Sequence, residues 1–258
     1  MRFCLSRLKS WFSLTFSRDG GGGQNQSELM ERLSHELRTS LTGIVGYSEF
    51  VESSSTEPMV NFTAKIIRES SQVLARASNS FFDLHRLTLG QIKISCSTFS
   101  INELVGDVVR LHQKQALEHD VNLVYTCSKN TFLLEMNTDA QRVRQVVDAL
   151  IFGAVQSAAK GKSVHVDASV DEAQGYLQLT VLGLDAATDI AQINLLKEFW
   201  HTDRYKFRLQ EGPGVELALA KALIYFLQGS AQYRYVVNEL PRLIVKLPMR
   251  CTQAKVSI

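Results

Sequence analysis

The most informative segment of the sequence is Ser34-His35-Glu36-Leu37-Arg38-Thr39-Ser40-Leu41. Around it, residues that share one helix face recur at steps of three and four, a spacing typical of a long amphipathic helix: Leu29, Leu33, Leu37, Leu41, Ile44, Ser48 and Val51. Ser27 is a favourable N-cap with Glu28 in the first turn, so the helix is predicted to begin there. On this helix His35 points away from the leucine stripe, and we expect its side chain to be exposed.

A second helix is predicted after a turn at Ser53 to Pro58, where serine, threonine and proline cluster. Within it Ile67, Leu74 and Phe81 repeat at intervals of seven, the seam expected where helices pack at a shallow angle. Two helices joined by a short loop cannot enclose a core alone. The hairpin is therefore predicted to pair with a copy of itself as a dimeric four-helix bundle.

The chemistry of residues 34–41 centres on His35. An imidazole is largely neutral near pH 7, and its nitrogen lone pair makes it a ready acceptor of a phosphoryl group. Three neighbours are placed to help: Glu36 to take a proton or hold the tautomer, Thr39 to orient water or phosphate oxygens, and Arg38 to balance phosphoryl charge. A solvated helix face without reactivity is the alternative interpretation, and a bare H-E-x-R pattern would favour it.

Past Gly90 the pattern changes to mixed helices and strands. We predict helices over 101–118 and 139–159, strands over 121–126, 163–170 and 176–184, a helix between Gly214 and Gly229, and a closing hairpin of 231–237 with 243–247. Such elements pack as a two-layer α/β sandwich. The predicted fold class is thus α+β, with domains at 1–26, 27–95 and 96–258.

The composition of the chain does not favour nucleic acid as a partner. The 258 residues carry a formal net charge of only +2, which is too small to attract the phosphate backbone of a nucleic acid over the whole surface. Four cysteines are far apart in the sequence, so neither a zinc site nor a disulfide framework is indicated: Cys4, Cys96, Cys127 and Cys251. A reducing, cytoplasmic compartment is expected. No apolar run reaches the length of a membrane-spanning helix.

The N-terminal segment before the hairpin has two parts. Residues 1–18 mix aromatic and leucine side chains with arginines and lysine, which predicts either a basic amphipathic helix on the inner face of a membrane or a frayed, partner-docked terminus. Gly20 to Gly23 is a run of four glycines followed by Gln24, Asn25 and Gln26, and it is predicted to be a linker.

The octet at 34–41 and its hairpin resemble the phosphoacceptor and dimerisation domain of two-component sensor histidine kinases, whose H-box reads S-H-E-L-R-T-P-L. Ser40 departs from it, standing where the family has a proline that bends the helix. The resemblance continues through residues 82–87 and 99–104 and covers about Ser27 to Arg250. It implies a second domain of the histidine-kinase ATPase type and response-regulator receiver domains as partners.

The family's second domain binds ATP and magnesium, and its helix before the nucleotide reads D-x-x-R-x-x-Q-x-x-x-N-L-x-x-N-A-x-K. This chain keeps the beginning of that frame as Asp139, Arg142 and Gln145. Ala149, Gly153 and Gln156 then stand where the family has two asparagines and the lysine. Because magnesium requires oxygen ligands, the glycine at 153 implies the loss of a main hold on the triphosphate.

The family's glycine motifs are also altered. Strand alternation puts Gly183 in the slot of the D-x-G-x-G aspartate, whereas a register slipped by two would use Asp185; neither choice restores the glycines. The last motif survives in part through Gly212 and Gly214, but Glu216 replaces a glycine there and would repel phosphate. These losses imply a degenerate nucleotide domain, with the five glycine and aspartate positions (Gly153, Gly183, Asp185, Gly212 and Gly214) as a doubtful remnant and no metal site.

Three functions are compatible with these residues. The favoured one is a histidine phosphotransfer protein in which His35 exchanges phosphoryl groups with receiver domains, magnesium being carried by the receiver and no cofactor by this chain. The receiver is expected to dock near Leu41, Ile44 and Tyr47. The alternatives are an active kinase that binds ATP and magnesium and autophosphorylates His35, and a scaffolding pseudokinase that carries no phosphate.

Overall fold

A computed structural model describes residues 23–128, 135–171, 174–183, 215–234 and 241–250. The chain divides into two compact units, Met1–Asn79 and Ser80–Ile258. The division falls inside the second helix, upstream of the predicted boundary at residue 96. The predicted amphipathic segment at 1–18 lies outside the described residues.

The first unit contains a helical hairpin. Helix α1 spans Gly23–Ser54, and α2 spans Pro58–Thr88 and continues into the second unit. The turn between them agrees with the prediction and is closed by the Glu57 backbone N–H, which donates to the Ser55 hydroxyl at 3.1 Å. Pro58 begins α2, where its fixed φ suits a first helical position.

The start of α1 corrects the sequence prediction. Ser27 lies inside the helix, and part of the predicted linker, residues 23–26, is helical. Once a helix is nucleated, each added residue gains a backbone hydrogen bond, so a long helix extends into residues of poor intrinsic propensity. The helix also runs unbroken through Ser40.

Small and polar side chains line the interior of the hairpin. Leu41 and Ala64 are buried there together with Ser34, Ser48 and Ser71. The hydroxyls of Ser48 and Ser71 each donate to the carbonyl oxygen four residues earlier, at 2.7 Å. These bonds satisfy the buried hydroxyls within their own helices, so the hairpin interior contains few large side chains.

The second unit is a two-layer sandwich. Its described elements are β1 (Ser97–Ser100), α3 (Ile101–Glu118), β2 (Asn122–Cys127), β3 (Glu135–Thr138), α4 (Ala140–Ser157), β4 (Ser163–Asp171), β5 (Tyr176–Leu182), α5 (Val215–Phe226), β6 (Ser230–Arg234) and β7 (Arg242–Pro248). The five-stranded sheet has the order β2-β4-β5-β7-β6, in which β2 and β4 are parallel and the other pairs antiparallel. The predicted α+β fold with a two-layer sandwich is confirmed.

One core lies between the sheet and the helices α3, α4 and α5. Alternate strand residues point into it, as in β5, where Leu177, Leu179 and Val181 are buried. The closing hairpin of β6 and β7 is confirmed, although residues 235–240 lie outside the described part. The antiparallel pair of β1 and β3 was not predicted, because each strand has only four residues.

Two of the cysteines lie among the described residues. Cys96 is disulfide-bonded, whereas Cys127 has a free thiol. The spacing of the cysteines did not point to this bond, because residues far apart in the sequence can be close in a folded chain. Separately, no helix in the described part of the chain combines the length and apolar character needed to cross a bilayer.

Candidate functional site

His35 lies in the N-terminal half of α1, and its side chain is exposed, as its place on the helix predicts. Among the described residues, no side chain or backbone group hydrogen-bonds its ring. Its backbone carbonyl accepts the Thr39 hydroxyl at 2.9 Å. Both ring nitrogens are therefore accessible to a partner molecule from water.

The neighbours of His35 differ in how firmly they are held. Thr39 is exposed, and its hydroxyl proton is committed to the His35 carbonyl, so its oxygen is free to accept rather than to donate. Glu36 is exposed and has no hydrogen-bond or ion-pair partner within the described residues. Its carboxylate can therefore move toward the ring or toward a bound partner.

Arg38 is held by a residue that the sequence analysis missed. Its Nη2 donates to Oδ1 of Asn79 at 3.1 Å, across the hairpin from α1 to α2. The two residues are 41 positions apart, so no local motif could have pointed to the pair. The guanidinium of Arg38, three positions after His35, is thus held by a contact with the second helix.

The hairpin also exposes many large apolar side chains, in two sets. The seam set continues the buried stripe: Leu37, Ile44, Val51, Ile67 and Leu74. The outer set lies elsewhere on the two helices: Tyr47, Phe50, Met59, Phe62, Ile66 and Val73. Phe62 and Ile66 each lie two positions from the buried Ala64, about 200° around the helix, so they face away from the hairpin interior.

In the second unit, the D-x-x-R-x-x-Q residues have structural partners. Asp139 caps α4 by accepting the Arg142 N–H at 3.1 Å, and its other oxygen accepts the Ser95 N–H at 2.9 Å. Gln145 donates to Asp83 at 2.7 Å, and the Arg142 guanidinium lies 3.5 Å from the same carboxylate oxygen. The frame thus attaches α4 to the end of α2.

Gly153, at the position predicted for the magnesium-ligating asparagine, has no side-chain oxygen. A Cβ added at Gly153 would lie 3.4 Å from the Leu217 side chain, an ordinary contact distance. Ala149, one turn earlier, is buried, and Gln156 is exposed. The residues present along this helix therefore do not fit a magnesium–nucleotide complex held from α4.

Gly183, the first of the two positions predicted for the aspartate, has φ +88°, and a Cβ built there would lie 2.6 Å from the Ser163 carbonyl oxygen. An L-residue rarely adopts such a φ, and the approach is too close for any side chain. Position 183 therefore has no room for an aspartate side chain. Asp185, Gly212 and Gly214, the other predicted remnants, lie outside the described residues.

His112 is buried between α3 and α4. His112 Nε2 lies 2.8 Å from Asp148 Oδ1, and its Nδ1 lies 3.1 Å from Gln115 Oε1. Both ring nitrogens of His112 are thus hydrogen-bonded, which favours a packing role.

Burial lowers the pKa of His85, near the end of α2.

Comparison with known proteins identifies the hairpin. Residues 25–90 match the family model described as the His Kinase A (phospho-acceptor) domain. These residues are a histidine kinase phosphoacceptor domain. His35 and its neighbours lie inside the matched range.

Relatives of the phosphoacceptor domain and the region after it are sensor histidine kinases. The chain is 23% identical over 231 residues to the autoinducer 2 sensor kinase/phosphatase LuxQ of Vibrio cholerae, covering 88% of this chain and 27% of that protein. It is 28% identical over 214 residues to the cell-division control histidine kinase PdhS of Brucella ovis, covering 77% of this chain and 20% of that protein. It is 25% identical over 207 residues to the sensor protein GacS of Pseudomonas syringae, covering 79% of this chain and 23% of that protein. The chain therefore spans about a quarter of the length of these relatives.

Solved structures agree on the fold that accompanies the phosphoacceptor domain. Full-length ShkA in complex with AMPPNP matches with a TM-score of 0.64 at 21% identity, covering 88% of this chain and 47% of that one. The histidine kinase AdeS of Acinetobacter baumannii matches with a TM-score of 0.55 at 18% identity, covering 84% and 98%. The second unit has the α/β fold of a histidine-kinase ATPase domain.

Proposed function

We propose that this chain is a histidine phosphotransfer protein of two-component signalling, in which His35 takes a phosphoryl group from an aspartyl phosphate on one receiver domain and passes it to another. The observation that carries the proposal is the exposed His35 ring, which has no hydrogen-bond partner among the described residues, inside a phosphoacceptor domain.

The transfer needs only groups at this site and on the receiver. The unprotonated ring nitrogen of His35 attacks phosphorus in line, the P–O bond of the acyl phosphate breaks, and its electron pair leaves with the receiver carboxylate. The imidazolium so formed gives its remaining ring proton to Glu36. Magnesium in the receiver's acidic pocket would neutralise the phosphoryl oxygens there.

Loss of ATP binding is supported at three places in the second unit. Gly153 offers no magnesium ligand, and Gly183 leaves no space for the adenine acceptor. Glu216 lies in the first turn of α5, where a helix N-terminus would otherwise attract phosphate. A carboxylate there complements the helix dipole and opposes a second anion.

The two exposed apolar sets support two interfaces. The seam set, with Ile44, Ile67 and Leu74, lies beside the hairpin interior and would close the four-helix bundle of a homodimer. The outer set, with Tyr47 and Phe62, remains for the receiver. Leu41 is buried inside the hairpin, so of the three residues predicted to lie near the docking site we assign the exposed Tyr47 to the receiver.

The test compares phosphoryl donors. Purified protein and a His35→Gln variant are mixed separately with a receiver carrying labelled aspartyl phosphate, and with labelled ATP and magnesium. We expect label on the wild-type chain from the receiver alone, and none on the variant. Label from ATP without any receiver would establish the autokinase instead. If neither donor labels the wild type, the scaffolding pseudokinase is the remaining function.

A further inference from the structure

We propose that Asn79 is a positioning residue for phosphoryl transfer: it holds the Arg38 guanidinium beside His35 without neutralising its charge. This inference rests on the proposed function and adds a residue on the second helix to a site otherwise built entirely from the first. It follows from one cross-hairpin hydrogen bond and from the chemistry of its acceptor.

The position of Arg38 makes the hydrogen bond relevant to His35. Residues three apart on a helix are neighbours, so the Arg38 side chain starts beside the His35 ring. An exposed arginine samples many rotamers, and ordering it costs side-chain entropy. Because Nη2 is held at 3.1 Å by Asn79 Oδ1, part of this ordering is complete before a phosphoryl group arrives.

The neutral acceptor is the second part of the argument. The same hairpin holds another cross-helix arginine, Arg68, whose Nε lies 2.9 Å from the Glu52 carboxylate. That pair is internally neutralised and has little attraction left for an anion. Arg38 is instead held by an amide oxygen, which accepts one hydrogen bond and leaves its full positive charge and remaining N–H donors available.

In the transfer step, the phosphoryl group moves with its charged oxygens from the receiver aspartate to the His35 ring, and the aspartate leaves as a carboxylate. Free N–H donors on Arg38 would bind the oxygens of the phosphoryl group as the N–P bond forms. Pre-orientation lowers the entropy lost at this point, so the effect belongs to the transfer rate and not to receiver binding.

The test uses three variants at position 79, assayed in single turnovers with a saturating labelled receiver. Asn79→Ala frees Arg38, and we expect transfer about three- to tenfold slower. Asn79→Asp keeps an acceptor but adds a negative charge beside the phosphoryl path, and a loss of more than about tenfold is expected. Asn79→Gln keeps a neutral amide and should stay within about threefold of wild type. The receiver concentration for half-maximal rate should not change in any of them.

Two controls separate positioning from folding. Glu52→Ala removes the acceptor of the other cross-hairpin arginine contact and should leave the transfer rate unchanged. In an Arg38→Ala background, Asn79→Ala should have no further effect, because its influence passes through Arg38. This double-mutant cycle decides the question even if the aspartate variant does not fold.

Each outcome has one meaning. Slower transfer in Asn79→Asp, near-normal transfer in Asn79→Gln and a non-additive cycle with Arg38 support the inference. Wild-type rates in both Asn79→Ala and Asn79→Asp, or an additive cycle, would overturn it while leaving the proposed function intact. Absence of label on wild-type His35 would refute the proposed function itself.

Discussion

Replacing Gly183 by alanine should strongly destabilise the second unit. The added Cβ would lie 2.6 Å from the Ser163 carbonyl oxygen, on a backbone whose φ is +88°. Left-handed backbone costs a non-glycine residue ~1–2 kcal/mol, and overpacking a core adds ~1–3 kcal/mol. The expected loss of unfolding free energy is therefore about 2–5 kcal/mol.

Gly175 is the matched control for this experiment. Its φ is +68°, but a Cβ there would meet nothing within 4 Å. Gly175→Ala carries only the backbone strain and should cost ~1–2 kcal/mol. Urea titration of both variants gives the difference directly. Equal stabilities, within about 0.5 kcal/mol, would refute the argument that the aspartate slot is closed by close backbone approach.

Three further predictions follow from the described contacts. Asp83→Ala removes the carboxylate that binds Gln145 and Arg142, both largely shielded from water, and should lower the unfolding free energy by about 2–3 kcal/mol. An unchanged midpoint in denaturant melts would contradict a structural role for these contacts. Leu74→Glu puts a charge on the seam set and should convert a dimer to a monomer in analytical ultracentrifugation, whereas a persisting dimer would place the interface elsewhere. Burial lowers the pKa of His85 in the folded state, so the unfolded chain binds more protons below pH 6.5 and the unfolding free energy falls as the pH drops through that value. His85→Gln should weaken this loss of stability between pH 7.5 and 5.5 in thermal melts. An identical loss in the variant would exclude this histidine as its source.

The sequence predicted most of the helices because their apolar period is strong. Residues 101–118 form α3 with the predicted limits, and the five strands of the main sheet appear where alternation or apolar runs place them. The start of α1 could not be predicted in the same way. Local propensity at Gly23 favours a linker, and only the cooperative extension of a long helix overrides it.

The candidate site was predictable to the extent that it is local. His35, Glu36 and Thr39 lie within five consecutive positions on one helix, and their exposure follows from the helix period. Asn79 could not be found this way, because its role depends on the packing of α1 against α2. The structural use of Arg142 and Gln145 was hidden for the same reason: their partner, Asp83, lies in another helix.

The nucleotide domain illustrates a different limit. A sequence shows that Gly183 lacks a carboxylate, but it does not show whether the position could accept one. The positive φ and the neighbouring Ser163 carbonyl answer that question, because they depend on how β5 ends against β4. By contrast, a Cβ at Gly153 would meet the Leu217 side chain at an ordinary contact distance.

We propose that a ring nitrogen of His35 carries the phosphoryl group and receives it from a receiver domain, without a nucleotide. Phosphorus-31 NMR of the protein mixed with a phosphorylated receiver and magnesium, in the absence of ATP, distinguishes this route from autophosphorylation. We expect a phosphoramidate resonance that grows as the acyl-phosphate signal decays and that is missing in His35→Gln. Decay of the acyl phosphate to inorganic phosphate alone, with a phosphoramidate appearing only after ATP is added, would contradict it.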